Sequence, residues 1–199
     1  MKIALLLCDD ISIELHEEFG HYQDMFTHLV NRDDELDVFP VYLYADDDGH
    51  YLPDIQAYDG FIVSGSKHGV YEDHIWLAPL FKTIQAVFKA EKKLLGICFG
   101  HQAIAMALGG KVVQSDKGWG IGHYQNSWDK NKLASANNGA QNPLTDEQTS
   151  LTLLSFHQDQ VVSLAQGFDT LAGSEFCPYY VTGFKNQVLT TQGHPEMSA

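Results

Sequence analysis

The stretch Lys93-Leu94-Leu95-Gly96-Ile97-Cys98-Phe99-Gly100-His101-Gln102, running on to Gly109-Gly110, reads as strand, sharp turn, helix. Its apolar start suits a buried strand. Ile104, Ala107 and Leu108 then recur at helical spacing, and the paired glycines supply a stop. A chain that makes this turn is committed to strands alternating with helices, and the flanking sequence agrees. Upstream, Met1 to Cys8 is a short apolar strand ended by Asp9-Asp10. Phe19, Tyr22, Phe26 and Leu29 predict one helix face over residues 16–31, and strands are expected over Leu36 to Tyr44 and Tyr58 to Val63. Leu77, Leu80, Phe81, Ile84, Val87 and Phe88 mark an amphipathic helix leading back to the Cys98 strand. This alternation predicts an α/β fold with a mainly parallel, doubly wound central sheet and helices on both faces. Function in such sheets gathers at the carboxyl ends of the strands, where both Ser64-Gly65-Ser66 and Cys98 fall.

Glycines two residues either side of Cys98 give Gly-x-Cys-x-Gly, a nucleophile elbow with sulfur in place of oxygen. Small neighbours are needed because the turn is tight. The following helix points its amide groups at the sulfur and favours thiolate. The pentapeptide alone is equally compatible with a small buried thiol.

Beyond Lys111 the helices fade. Lys111 to Gln114 reads as a strand and Lys117 to Gly122 as a glycine-punctuated turn. Residues 129–150 read as a polar surface excursion with one short helix and a turn at Asn142-Pro143. Short strands, antiparallel in the smaller C-terminal part, are expected over Leu151 to Phe156, Phe168 to Ala172, Tyr179 to Phe184 and Val188 to Gln192. The last delivers Gly193-His194-Pro195-Glu196. Proline biases its predecessor to an extended backbone, in which residues two apart share a side, so Glu196 is placed to orient His194.

At 199 residues the chain suits one domain, 1–199, and leaves no room for a second catalytic one. A formal charge of -14 repels phosphate backbones and anionic lipid surfaces, which argues against nucleic acid and membrane partners. Three cysteines leave at least one thiol unpaired and show no metal-ligand spacing, so a reducing cytoplasm is expected. The acidic runs Asp33-Asp34-Glu35 and Asp46-Asp47-Asp48 read as solvated loops. No nucleotide-binding signature is present, and neither a cofactor nor a metal is expected.

Four segments carry a more specific signal in combination: Ser64-Gly65-Ser66, Gly96 to Gln102, His157-Gln158-Asp159-Gln160-Val161, and Gly193 to Glu196. In type and order they resemble the class I glutamine amidotransferase domains, over nearly the whole chain. The resemblance implies Cys98 as nucleophile, His194 as general acid and base, and Glu196 as the group fixing the imidazole tautomer. It implies an oxyanion hole from the Phe99 amide and an amide of the Gly65-Ser66 turn, with Gln102 holding the glutamine substrate. Trp119, Tyr124 and His157 are candidate walls of the substrate pocket. The implied activity is that of a stand-alone enzyme releasing ammonia from glutamine through a γ-glutamyl thioester, with a separate synthetase subunit as partner if the ammonia is used in biosynthesis. A γ-glutamyl peptide hydrolase would use the same three residues. A catalytically silent regulatory module is the alternative from another class. Family members usually continue into a further helix after the His-Pro-Glu segment, and that helix is expected to be absent from this chain.

Overall fold

The computed structural model describes residues 1–30, 35–44, 53–136 and 148–197. The acidic residues Asp33, Asp34 and Asp46 to Asp48, and the Asn142-Pro143 turn, lie outside them. In chain order the principal elements are β1 (Lys2–Leu7), α1 (His16–Phe19), α2 (Tyr22–Val30), β2 (Asp37–Tyr42), β3 (Gly60–Val63), α3 (Leu77–Lys89), β4 (Lys93–Ile97) and α4 (Phe99–Ala107). They continue with β5 (Lys111–Gln114), β6 (Gly120–Trp128), α5 (Lys130–Ala136), β7 (Ser150–His157), β8 (Asp159–Ser163), β9 (Asp169–Gly173), β10 (Val181–Phe184) and β11 (Val188–Thr191).

Nine strands form one sheet in the order β2-β1-β3-β4-β11-β10-β9-β6-β7. The first five are parallel and the rest antiparallel. β1 shows why the parallel half is apolar throughout. Its Ala4 and Leu6 pack in the core that includes α3 and α4, while Ile3, Leu5 and Leu7 face α2, so both sides of the strand are covered. On α3, Leu77, Leu80, Ile84 and Val87 form the buried stripe that its periodicity predicts. Each such side chain contributes about 1.5–3 kcal/mol by leaving water.

Two expectations are corrected. The helix predicted over residues 16–31 is two pieces, because Gly20 takes a φ of 74° that a continuing helix cannot accommodate. Phe19 is consequently 52% exposed, while Tyr22 and Phe26 of α2 are buried. The Lys117 to Gly122 turn ends early. From Gly120 the chain forms β6, with Gly122 at a φ of 109° inside the strand, a position that accepts glycine and few other residues. The His157 to Val161 segment contains a strand, β8, that pairs with β5 in a small second sheet.

The latest strand in sequence, β11, occupies the middle of the large sheet. It runs parallel to β4 on one side and antiparallel to β10 on the other, with Thr191 opposite Ile97. At the amino ends of the parallel strands lies an open apolar groove of about 550 Å³, lined by Ile62, Leu95, Leu133, Leu171 and Leu189 among others. Cys98 is at the opposite, carboxyl end.

Candidate active site

β4 ends at Ile97 and α4 begins at Phe99, leaving Cys98 alone in the turn at φ 51° and ψ −104°. This is a strained backbone for a side chain with a β-carbon, and it persists because neighbours over-determine it. The Cys98 amide donates to the Thr191 carbonyl at 2.8 Å, and its carbonyl accepts from the Gln102 amide at 3.1 Å. The flanking glycines allow the close approach. A β-carbon on Gly100 would stand 2.1 Å from the Val63 carbonyl oxygen, and one on Gly96 would stand 2.7 Å from that of Gly100. Cys98 is 6% exposed, and Nε2 of Gln192 lies 3.6 Å from its sulfur.

The register of β11 against β4 brings His194 to the same end of the sheet. The His194 amide donates to the Leu154 carbonyl at 2.8 Å, anchoring the segment to β7. Beyond it Pro195–Met197 form a single 3-10 turn rather than the extended chain expected, closed by the Met197 amide on the His194 carbonyl at 3.3 Å. The turn still presents both side chains to each other. Nδ1 of His194 lies 2.7 Å from Oε1 of Glu196, both residues being buried. The Cys98 sulfur is the imidazole's other close neighbour. Burial pushes the imidazole down, but the Cys98 sulfur and the Glu196 carboxylate outweigh it, and His194 rises to about 10. Cysteine, imidazole and carboxylate thus form one cluster, with the carboxylate hydrogen-bonded to the imidazole.

The loop after β3 forms a second wall. Asp9, at the end of β1, accepts from the Lys67 amide at 3.1 Å and the Lys67 ammonium at 3.2 Å, while Oγ of Ser64 accepts from the Cys8 amide at 2.9 Å. The hydroxyl of Tyr22 donates to Glu196 Oε1 at 2.9 Å and lies against Gly65. The Phe99 amide opens α4 and has no acceptor within its helix.

The remaining candidates divide. Gln102 is buried, and its side-chain amide donates to the Asp159 carbonyl at 3.0 Å and to Gln192 Oε1 at 3.1 Å, bracing the site from behind. Nδ1 of His157 lies 3.0 Å from the Asp159 carbonyl, and burial, with the His194 charge adding to it, outweighs that contact and lowers its pKa. Tyr124 stacks on Phe176 at 5.2 Å, and Phe176 also borders His157. Trp119 is not brought to Cys98. It is 55% exposed and rests on Phe156, on the opposite face of the β6-β7 hairpin from His157. Tyr22, Asp9 and Gln192 were not among the sequence candidates. Asp9 had a legible signal, an acid closing an apolar first strand, whereas Tyr22 carried only helical spacing, the mark of a core residue.

A doubly wound α/β protein with a strained cysteine turn beside a buried histidine-glutamate pair is the class that fold and site define. Within it, this chain belongs to the class I glutamine amidotransferase family, whose model, Glutamine amidotransferase class-I, matches residues 20–199. It is 32% identical over 200 residues to gamma-glutamyl peptidase 3 of Arabidopsis thaliana, covering 98% of this chain and 76% of that protein. Over 138 residues it is 36% identical to the glutamine-hydrolyzing GMP synthase of Dehalococcoides mccartyi, covering 69% of this chain and 23% of that enzyme. A crystal structure of a glutamine amidotransferase from Thermotoga maritima shares the fold with a TM-score of 0.73 at 20% identity, covering 98% of this chain and 76% of that one. Among the described residues no helix is long and apolar enough to cross a membrane.

Proposed function

We propose that the chain hydrolyses the γ-carboxamide of glutamine through Cys98. The cluster of Cys98, His194 and Glu196, with the imidazole hydrogen-bonded to the carboxylate and the cysteine on a positive-φ turn, carries this reading. The Cys98 thiolate attacks the γ-carbonyl carbon. The resulting oxyanion is met by the Phe99 amide and by an amide of the Gly65-Ser66 turn. His194, protonated between sulfur and Glu196, gives its proton to the departing nitrogen, so ammonia leaves and a γ-glutamyl thioester remains. Neutral His194 then takes a proton from water, whose oxygen attacks the thioester and releases glutamate and the Cys98 thiolate. Glu196 on Nδ1 fixes the tautomer that turns Nε2 to the sulfur.

A second reading, hydrolysis of γ-glutamyl peptides, uses identical steps with an amine as leaving group. The gamma-glutamyl peptidases among the relatives favour it. If glutamine is the substrate in a biosynthetic setting, the ammonia passes to a separate synthetase subunit. Ammonia release from glutamine, measured beside amine release from γ-glutamyl dipeptides with Cys98→Ala as control, decides between the two. Equal rates for wild type and Cys98→Ala on every substrate would leave a silent binding module.

A further inference from the structure

Between β3 and α3 the chain passes through His68, Glu72 and His74, and these three side chains converge. Oε2 of Glu72 lies 3.3 Å from Nδ1 of His68 and 2.8 Å from Nε2 of His74. One donor atom from each residue falls within 4.8 Å of the other two. Two imidazole nitrogens and a carboxylate oxygen form the donor set of a late first-row divalent ion, zinc above all, with a fourth position left to water. At metal-ligand distances of about 2.0–2.1 Å, a tetrahedral site holds its donor atoms roughly 3.3 Å apart. The two carboxylate-to-imidazole spacings are within about half an ångström of that.

Hydrogen bonding from two neutral imidazoles to one carboxylate would also bring the rings together. What favours a metal is the support behind each ligand. The His74 ring is stacked on Trp76 at 5.4 Å with only 14° between the planes. The Glu72 amide donates to the Gly69 carbonyl at 3.1 Å, and the His68 amide donates to Ser66 Oγ at 3.2 Å. Such outer contacts orient ligands toward a common point. The other convergent group, Asp10 with His16 and His21, is looser, although the Ile11 and Tyr22 amides hold Asp10 Oδ1. There the donor atoms stand 3.6 Å from the shared oxygen, and Nε2 of His16 is already directed at the Ile11 carbonyl, 3.1 Å away.

We propose that His68, Glu72 and His74 form a binding site for a divalent transition-metal ion of the zinc class beside the Cys98 site. Its place gives it consequence. His68 is two residues beyond Ser66, and Trp76 packs edge-on against Phe99, the residue after Cys98, at 5.7 Å. A bound ion would pin the 68–74 segment at both ends and so hold the loop that carries Ser66.

The inference does not depend on the reaction assigned to Cys98, and its test needs no activity. Metal-stripped full-length protein is titrated with Zn²⁺ by calorimetry in a Cys98→Ala background, which removes a competing thiolate. The visible spectrum with Co²⁺ then reports the coordination geometry. One equivalent of Zn²⁺ and tetrahedral Co²⁺ bands are expected. His74→Ala and Glu72→Gln should each weaken binding by about 100-fold or more, a ligand being worth at least as much as its outer contacts, while His21→Ala changes nothing. Glu72→Gln preserves side-chain size, so a loss there is not a loss of folding. Absence of Zn²⁺ binding, undiminished binding in both variants, or loss in His21→Ala alone would overturn the proposal.

Discussion

The hydroxyl of Tyr22 stands 2.9 Å from Oε1 of Glu196, the same oxygen that meets His194 Nδ1 at 2.7 Å. The other carboxylate oxygen, Oε2, is buried without a hydrogen-bond partner among the described residues. Burial, with the charges of Glu196 and Cys98 adding to it, holds the phenol well above its ordinary value, so it remains a donor. The same hydroxyl lies against Gly65, so one atom of α2 stands between the carboxylate and the loop after β3.

Tyr22→Phe removes the hydrogen bond to Glu196 and keeps the ring that packs on Phe26. A hydrogen bond to a charged group contributes about 1.5–3 kcal/mol, so kcat should fall at least roughly tenfold with KM little changed. Steady-state kinetics on whichever γ-glutamyl amide is turned over measures this. An unchanged kcat would reduce Tyr22 to packing.

His194 should make stability depend on pH on the alkaline side. Its folded pKa, about 10, lies above the ordinary 6.5. The contribution is therefore fully present below 6.5 and disappears as pH rises toward 10. Urea unfolding of wild type and His194→Ala across that window should show a stability difference that shrinks with pH. Because the sulfur supplies the foremost raising effect, Cys98→Ala should remove most of the pH dependence.

His101 works in the opposite direction. Burial, with the His157 charge adding to it, drives its imidazole down to about 3 from an ordinary 6.5, while Nδ1 sits 2.7 Å from Thr190 Oγ1. The folded state holds it neutral and the unfolded state takes up a proton, so stability falls as pH drops below 6.5, by about 1.4 kcal/mol per unit. His101→Asn, which retains a polar atom for Thr190, should flatten the acid limb in denaturant titrations at successive pH values.

Gly100→Ala tests the elbow. Its β-carbon would meet the Val63 backbone at 2.1 Å, and neither chain segment can yield without moving β3 or α4. A loss of about 3 kcal/mol, lowering the thermal midpoint by roughly 6–12 °C, is expected. Gly118→Ala makes a useful contrast: nothing lies within 4 Å of its β-carbon, so its cost is that of the positive φ alone.

Where one physical cause dominated, sequence was sufficient. Continuous apolar runs such as Met1 to Cys8 need cover on both faces and so announced the parallel half of the sheet. Gly96 and Gly100 announced a close approach of backbones, and Val63 is what they approach. Motif order also gathered Cys98, His194 and Glu196 into one site. Residues whose role depends on a distant partner were not legible. Tyr22 and Glu196 are 174 positions apart, and nothing local distinguishes this tyrosine from an ordinary core aromatic. Glycine was ambiguous for a related reason. In Gly118 it ends a turn and in Gly122 it sits inside a strand, and only pairing with β7 separates the two.

The central position of β11 has a consequence for how the protein comes into being. During synthesis β4 and the Cys98 turn leave the ribosome long before residues 188–196, which supply the Thr191 carbonyl, Gln192, His194 and Glu196. Until that strand slots in between β4 and β10, the sheet is split into halves and Cys98 has neither His194 beside it nor the hydrogen bond that holds its turn. Such long-range closure is slow relative to local helix formation. A nascent or truncated chain therefore carries Cys98 without these neighbours, and under the proposed mechanism completion of the sheet and the onset of reactivity are a single event.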